Sequence, residues 1–119
     1  ERFGRQHRYK EDASRCRALK VDEVIAHEMG QTHHQYGRAG RPGPRPHEEI
    51  GYHAIRVGDN PGEHTILFGL LGETIELRVA ATSRDCYAQG ALVAAKWLVG
   101  RAPGRYGMEH VLFERESDG

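Results

Sequence analysis

The sequence predicts an α+β fold. Three observations support this prediction: a helical period in the first third of the chain, a run of strand-like segments in the middle, and a second helical period before a closing glycine. Helices that flank a run of strands pack on one face of a small sheet. We therefore expect the order helix, antiparallel strands, helix, with one face of the sheet covered.

The first third of the chain predicts one helix. Residues 1–10 have few apolar side chains and predict the end of a strand or an extended lead-in. From the N-cap candidate Ser14, residues 15–29 repeat apolar side chains with a period of 3.6, and Gly30 suits the position that follows a helix. The apolar side of this helix consists of Ala18, Val21, Val24, Ile25 and Met29.

Residues 31–48 predict a long loop. They hold three glycines and three prolines and almost no apolar residues, so we expect no buried face here. Loops of this length are often functional. The sequence leaves open whether this loop is a lid over a pocket or a tether.

The middle of the chain predicts strands. Residues 50–57 and 64–70 flank the turn-forming sequence Gly58-Asp59-Asn60-Pro61-Gly62, which predicts a hairpin. Gly72 then turns the chain into residues 73–81, where apolar and polar side chains alternate. We expect the apolar side of this last strand to be core.

The second helix is predicted over residues 85–99. Thr82 and Asp85 resemble a capping box, and Gly100 with Pro103 ends the helix. Its surface is apolar most of the way round, so we expect it to be well buried.

Composition limits the function classes. A chain of 119 residues predicts a single domain over residues 1–119, and 17 basic residues balance 17 acidic ones, which argues against nucleic acid and anionic membranes as partners. The longest apolar run, residues 91–99, is far shorter than the ~20 residues of a membrane helix. Cys16 and Cys86 are far apart and lack CxxC spacing, which favours a reducing, cytoplasmic setting without a disulfide or zinc site.

The chain resembles the C-terminal domain of the dihydrodipicolinate reductase family. The resemblance rests on a GxHxxRxGDxxGEHTxxF stretch at residues 51–68 and continues to residue 112. It implies a mixed four-stranded sheet with helices on one face, open sheet faces that pair into a homotetramer, and a site for a small-molecule substrate. It also implies that residues 104–113 return to a nucleotide-binding domain and have nothing to pack on here.

The residues themselves leave self-association open. Four large side chains of the predicted strands add apolar surface beyond what one helix layer needs, which favours a dimer or tetramer through the sheet. A shared monomeric core is an equal alternative. The four are Tyr52, Ile55, Ile66 and Phe68.

The family's catalytic segment, HHxxKxDAPSGTA, is only partly present. His7, Lys10, Asp12 and Ala13 match, so the resemblance implies His7 and Lys10 as the catalytic acid/base pair. Gln6 replaces the first His and cannot donate its proton. In the substrate-binding turn, Ser14 replaces Pro, and Arg15, Cys16 and Arg17 replace Ser-Gly-Thr.

We assign a substrate-binding role to six residues, four of this segment and two of a later predicted strand: Gln6, Ser14, Arg15, Arg17, His53 and Arg56. The two arginines of the turn either bind a carboxylate or fill the old pocket. His53 and Arg56 lie three apart on a strand and so point to opposite faces, and a structural role for one of them is at least as well supported.

No metal site is predicted. His27, Glu28, His33 and His34 fit no metal-ligand spacing. Cys86 is expected to be a small buried hydrophobic residue, whereas Cys16 between two arginines is a weaker candidate for a reactive thiol.

No cofactor is predicted either. The sequence lacks a GxGxxG turn between a strand and a helix, and Gly37-Arg38-Ala39-Gly40 lies in a proline-rich loop. Together with the altered catalytic segment, this predicts a cofactor-independent, non-redox enzyme, a cyclase, lyase or isomerase acting on a small, natural-product-like molecule. One alternative is the C-terminal half of a longer NAD(P)H-dependent reductase. The other is a non-catalytic binding or regulatory module, paired with a separate Rossmann-type subunit.

Overall fold

The computed structural model describes residues 1–12 and 16–114, in two compact units. The first unit, Glu1–Thr82, contains a sheet and one helix, and the second, which begins at Ser83, contains two helices. The α+β prediction is confirmed. The elements are β1 (Arg2–Gln6), α1 (Cys16–Met29), β2 (His33–Tyr36), β3 (Glu49–Arg56), β4 (Glu63–Leu70), β5 (Glu73–Ala80), α2 (Asp85–Leu98) and α3 (Met108–Phe113).

The sheet has five strands in the order β2-β3-β1-β4-β5. β1 runs parallel to β3 and antiparallel to β4, while β2 is parallel to β3 and β5 antiparallel to β4. Two strand pairs are thus parallel and two antiparallel. The sheet is mixed, as expected, but it has one strand more than the expected four and is not largely antiparallel.

The predicted hairpin of β3 and β4 is wrong, because β1 lies between these two strands. The glycine-rich turn connects two strands that are neighbours in sequence but not in the sheet. The turn predicted at Gly72 is confirmed: β4 and β5 pair directly, and Gly72 adopts a φ of 80° in their turn, a conformation that glycine adopts with little strain.

The long loop predicted for residues 31–48 contains a strand. β2 pairs in parallel with the first half of β3, with Tyr36 opposite Tyr52. The prediction missed this strand because it buries no apolar face of its own; its hydrogen bonds to β3 define it.

Register assigns each side chain to a face of the sheet. Arg2 lies opposite both Tyr52 and Ile66, and these three belong to the face on which α1 packs, which we call the α1 face. Phe3 and Ile55 belong to the other side, which we call the open face. The four apolar residues expected to act together are therefore divided, because Ile55 lies on the open face and the other three on the α1 face.

The helix α1 packs through a narrower side than its apolar period predicts. Asp22 is buried and forms an ion pair with Arg2, while Val21 and Val24 are exposed. Because of this ion pair, the side of α1 that contains Asp22 and Ile25 faces the sheet. Gly30, with a φ of 63°, ends the helix as predicted.

The second unit begins with α2, which starts at Asp85 as predicted. The capping box predicted from Thr82 is wrong: the Asp85 N–H donates to Oγ of Ser83 at 3.1 Å. None of the residues of α2 is buried, and Leu92 is 63% exposed, so the expectation of a well-buried helix is also wrong.

The tail of the second unit packs on α2. The Tyr106 ring meets Trp97 edge-on at 5.2 Å between ring centres, His110 lies 6.5 Å from Trp97, and Val111 is buried. Nδ1 of His110 also accepts the N–H of Gly107 at 2.9 Å at the start of α3. The expectation that this segment has nothing to pack on is therefore wrong.

Candidate functional site

The carboxyl ends of β1 and β3 meet at one edge of the sheet. The two strands are parallel, with Gln6 opposite Arg56, and the Val57 N–H donates to the Gln6 carbonyl at 3.1 Å. In sheets with parallel strands, ligands bind beyond the carboxyl ends of the strands. We call this edge, with the residues that follow each strand, the β1/β3 edge.

His7 and Lys10 sit in one tight turn at this edge. The Lys10 N–H donates to the His7 carbonyl at 3.2 Å, which closes the turn, and the Arg8 N–H donates to the Gly58 carbonyl at 2.9 Å. The backbone thus attaches the turn to the segment that follows β3. Both predicted catalytic residues are half-buried, so each retains access to solvent.

Arg56 holds the segment that leads from this turn towards α1. Its Nη2 donates to the Asp12 carbonyl at 2.6 Å, and its Nη1 to the carbonyl of Ile55 at 2.9 Å. The structure therefore brings Gln6, His7, Lys10 and Arg56 to one edge. No sequence pattern indicated that the Asp12 carbonyl would be the acceptor.

Three predicted substrate-binding residues cannot be placed in this geometry. Ser14 and Arg15 lie outside the described residues, and Arg17 belongs to the first turn of α1 with its side chain outside the description. The choice between carboxylate binding and pocket filling by the two arginines stays a prediction.

His53 lies apart from the β1/β3 edge, on the open face. Its ring stacks on Phe3 with 4.8 Å between centres, and its Nε2 lies 2.8 Å from Oε2 of Glu1. Arg56 is three residues further along β3 and belongs to the α1 face, as the alternation of a strand requires. A substrate-binding role for His53 stays a prediction.

A charged network around Glu1 was not predicted. Arg38 donates to both carboxylate oxygens of Glu1, at 2.7 and 3.1 Å, and also forms an ion pair with the buried Glu49. Arg45 adds a third hydrogen bond to Glu1 at 3.1 Å. The hydrogen bonds from Arg38, above all, lower the pKa of Glu1 from 4.5 to about 2.

This network bears on whether the long loop is a lid or a tether. Arg38 and Arg45 belong to the glycine- and proline-rich segment, and both bind Glu1, just before β1, and Glu49, the first residue of β3. The segment is tethered to the sheet at both arginines. Arg38 and Arg45 are two of the three arginines in this segment, and Glu1 is too distant in sequence for any local pattern to pair it with them.

The described residues contain no group of three or more His, Cys, Asp or Glu side chains that could hold a metal ion. In the sequence, the connections from β1 to α1 (residues 7–15) and from β5 to α2 (residues 81–84) contain no glycine, so neither has the glycine-rich turn of a dinucleotide site. No helix in the described ranges is long and apolar enough to cross a membrane. Cys86 is exposed, contrary to prediction, and its thiol donates to the Ser83 carbonyl at 3.3 Å.

The chain is similar in sequence to known proteins over most of its length. The family model "Dihydrodipicolinate reductase, C-terminus" matches residues 3–112. The 4-hydroxy-tetrahydrodipicolinate reductase of Rhodopirellula baltica is 62% identical over 111 residues, which cover 91% of this chain and 40% of that protein. The enzyme of the same name from Hahella chejuensis is 47% identical over 109 residues, 89% of this chain and 41% of the relative.

A solved structure shares the fold. The dipicolinate-bound dihydrodipicolinate reductase from Paenisporosarcina sp. TG-14 superposes with a TM-score of 0.71 at 22% identity, over 94% of this chain and 44% of that one. The chain spans about 40% of the length of the curated relatives described above.

Proposed function

The chain belongs to the dihydrodipicolinate reductase C-terminal family, and on that premise we propose that it is the substrate-binding and subunit-contact part of a 4-hydroxy-tetrahydrodipicolinate reductase. The observation that carries the proposal is the 62% identity to the Rhodopirellula baltica enzyme of that name. The β1/β3 edge, where His7 and Lys10 share a turn, is the proposed substrate site.

The prediction of a cyclase, lyase or isomerase is wrong. The curated relatives, at 62% and 47% identity, are named as reductases. The alternative that treated the chain as the C-terminal half of a longer reductase replaces it. The replacement of the first His of the catalytic segment by Gln6 therefore does not by itself indicate a loss of redox chemistry.

A reductase of this kind takes a hydride from NADPH or NADH, and that chemistry belongs to the cofactor. The described residues do not fit a dinucleotide, since neither strand-to-helix connection has the glycines that let a backbone approach a pyrophosphate. We place cofactor binding in residues beyond this chain. The part played by this chain is to bind and orient the substrate and to handle a proton.

Lys10 and His7 are the groups at the β1/β3 edge that can perform this task. An ammonium and an imidazolium both donate hydrogen bonds, and either can transfer a proton to the second atom of a ring double bond when hydride adds to the carbon at its other end. One backbone hydrogen bond closes the turn that holds them, and another attaches it to the segment after β3. Gln6 has no proton to give but can donate hydrogen bonds through its amide, so it suits binding better than acid catalysis.

The direct test is a titration of the chain with dipicolinate, the dicarboxylate bound to the related reductase from Paenisporosarcina sp. TG-14. We expect saturable binding that weakens about tenfold or more in Lys10→Ala, because one charge-assisted hydrogen bond is lost. Lys20→Ala is the matched control, because its side chain is 77% exposed and lies in α1. Thermal unfolding of each variant checks that the fold is intact.

The outcomes separate the candidate functions. Binding that depends on Lys10, together with NAD(P)H-dependent turnover once a cofactor-binding domain of the family is supplied, supports the reductase. Binding without turnover supports the non-catalytic module. Binding that is equally strong in Lys10→Ala and in the unmodified chain contradicts the β1/β3 edge as the substrate site.

We also propose that the chain forms a homo-oligomer through the open face of the sheet. Phe3 and Ile55, of which 37% and 40% are exposed, lie there beside Thr65 and Leu67 around a shallow cavity of about 250 Å³. In the first unit α1 packs on the opposite face. The apolar surface and its charged rim, Arg5, Glu63 and Glu76, suit a contact with a second copy.

A further inference from the structure

Arg56 is the last residue of β3, at the point where the segment that contains Lys10 leads from β1 towards α1. Its side chain is half-buried and belongs to the same face of the sheet as Gln6, its partner in the register. The sequence assigns Arg56 to substrate binding, whereas its contacts in the structure are with backbone carbonyls.

Both terminal nitrogens of this guanidinium are engaged within the chain. Nη2 donates to the Asp12 carbonyl at 2.6 Å, and Nη1 donates to the Ile55 carbonyl at 2.9 Å. An arginine that holds a carboxylate with two parallel hydrogen bonds needs two N–H donors aimed at the ligand. Here the two terminal nitrogens bridge two backbone segments instead, so the side chain joins the end of β3 to the residues that follow Lys10.

The residues from Arg8 to Asp12 are held at both ends. At one end the Arg8 N–H donates to the Gly58 carbonyl at 2.9 Å, and at the other the Asp12 carbonyl accepts from Arg56. Lys10 lies midway between these two contacts. The first contact belongs to the backbone, whereas the second belongs to a side chain and can be removed by a substitution.

A residue between two anchored points can occupy fewer positions than a residue beyond a single anchor. A group that binds or protonates a substrate works only when its position is fixed, and displacement by about 1 Å can cost a hundredfold in rate. Without the Arg56 contact, the residues that follow Lys10 lose an anchor that precedes the start of α1 at Cys16.

We propose that Arg56 is a positioning residue: it holds the Asp12 carbonyl so that Lys10 stays at the β1/β3 edge. The ammonium of Lys10, and not the guanidinium of Arg56, then contacts the substrate. The inference rests on the proposed function, because it takes Lys10 as a group that binds the substrate. Direct binding of the substrate by Arg56 is the alternative, and the experiment separates the two.

A double-mutant cycle on the affinity for dipicolinate makes this separation. We expect Arg56→Ala to weaken binding about tenfold in the unmodified chain but less than about twofold in the Lys10→Ala background, because Arg56 acts through Lys10. Arg41→Ala is the matched control, because it removes an exposed arginine of the same unit, and it should leave the affinity unchanged. Equal losses in both backgrounds would show direct binding and overturn the proposal, as would unchanged affinity in Arg56→Ala.

Backbone ¹⁵N relaxation of the full chain without a ligand tests the positioning separately. In Arg56→Ala we expect the order parameters of residues 10–12 to fall from about 0.85 to below about 0.6, while that of Arg8 is kept by its backbone hydrogen bond. Unchanged order at Lys10, or an equal fall at Arg8, would overturn the proposal. A chain that loses this order but does not bind dipicolinate would contradict the proposed function and leave the positioning by Arg56 supported.

Arg56→Lys supplies the conservative variant. It keeps the positive charge and one donor group, so we expect it to recover part of the order at Lys10 and part of the affinity that Arg56→Ala loses. It also serves as the test if Arg56→Ala does not unfold cooperatively. Recovery of affinity without recovery of order would show that the charge acts on the ligand directly, and would contradict the positioning role.

Discussion

Glu1 accepts hydrogen bonds from the two arginines of the tethered segment and contacts His53, and this concentration of basic groups explains its low pKa. Burial opposes the shift but is outweighed by Arg38. A carboxylate held in this way stabilises the fold only while it is ionised.

The first prediction concerns acid. Because the pKa of Glu1 is about 2 in the folded chain and 4.5 without these contacts, its contribution to stability is complete above pH 4.5 and disappears as the pH falls towards 2. We expect the free energy of unfolding to fall over this window in the unmodified chain and to fall less in Glu1→Gln. Urea unfolding between about pH 5 and pH 2 measures the difference.

The pKa of Asp22 is shifted upwards, opposite to that of Glu1, but this shift does not affect the comparison of the unmodified chain with Glu1→Gln. Burial raises its pKa, so its contribution favours the protonated form. Both proteins share it, and it cancels in the difference. Parallel pH profiles for the unmodified chain and Glu1→Gln would contradict the role given to Glu1.

The second prediction concerns the addition of a Cβ atom at Gly51. A Cβ at this position would overlap the carboxylate of Glu1, which its three partners hold in place. We expect Gly51→Ala to destabilise the fold by about 1–3 kcal/mol in urea unfolding. Gly69→Ala is the control, because no atom lies within 4 Å of a Cβ there.

A double variant isolates the cause. If the clash is the reason, Glu1→Ala should cost less in the Gly51→Ala background than in the unmodified chain. Additive effects of the two substitutions would show that the cost of Gly51→Ala arises elsewhere.

At the scale of elements, β1 is held in place by more than its backbone pairing. Arg2 on its α1 face reaches the buried Asp22 of α1, and Arg5 on the open face reaches Glu63 of β4. The strand is thus both the centre of the sheet and the anchor of the helix.

We predict that Arg2→Ala destabilises the fold by about 3 kcal/mol, because it leaves a buried carboxylate without its partner. Arg5→Ala is the matched control: its side chain is 45% exposed and its ion pair is longer, at 3.6 Å, so little change is expected. Urea unfolding compares the two. Equal losses would mean that the Arg2–Asp22 pair is no stronger than a surface contact.

The same elements show what the sequence could reveal. The helices α1 and α2 and the strands β3, β4 and β5 follow from local periodicity, and each is found close to its predicted bounds. β1 lies within residues 1–10, where the sequence predicts a strand end or an extended lead-in, but β2 is short and polar and is defined by its pairing with β3, so no local pattern could place it. The hairpin error has the same origin, since turn chemistry says where a chain bends and not which strand lies beside it.

The candidate site, too, could be predicted from the sequence only in part. The motif identified His7 and Lys10, and the structure places them with Gln6 and Arg56 at one edge. The Glu1 network and the Arg2–Asp22 ion pair join residues that are far apart in sequence, and in the sequence their polar side chains have the pattern of exposed surface residues. Their burial and pairing arise only from the packing of α1 and the tethered segment on the sheet.

At the scale of the whole molecule, exposed apolar side chains predict assembly. We expect Ile55→Arg to raise the dissociation constant of the oligomer by about tenfold or more, because it places a charge in the open face. Leu71→Arg is the control, because Leu71 is fully exposed at the turn between β4 and β5. Analytical ultracentrifugation gives the mass of each; an unmodified chain that sediments as a monomer at micromolar concentration would contradict the contact.

The central position of β1 also determines when the sheet can begin to form during synthesis. Arg2 pairs with Tyr52 on one side and with Ile66 on the other, so β1 leaves the ribosome well before either of its neighbours has been made. At about 5–20 residues per second, that delay lasts several seconds. Sheets whose pairings join distant residues fold slowly, and the pairing of this one cannot begin until β3 follows. During synthesis, β1 is therefore an unpaired strand, and the charges of Arg2 and Arg5 oppose its pairing with strands of other chains.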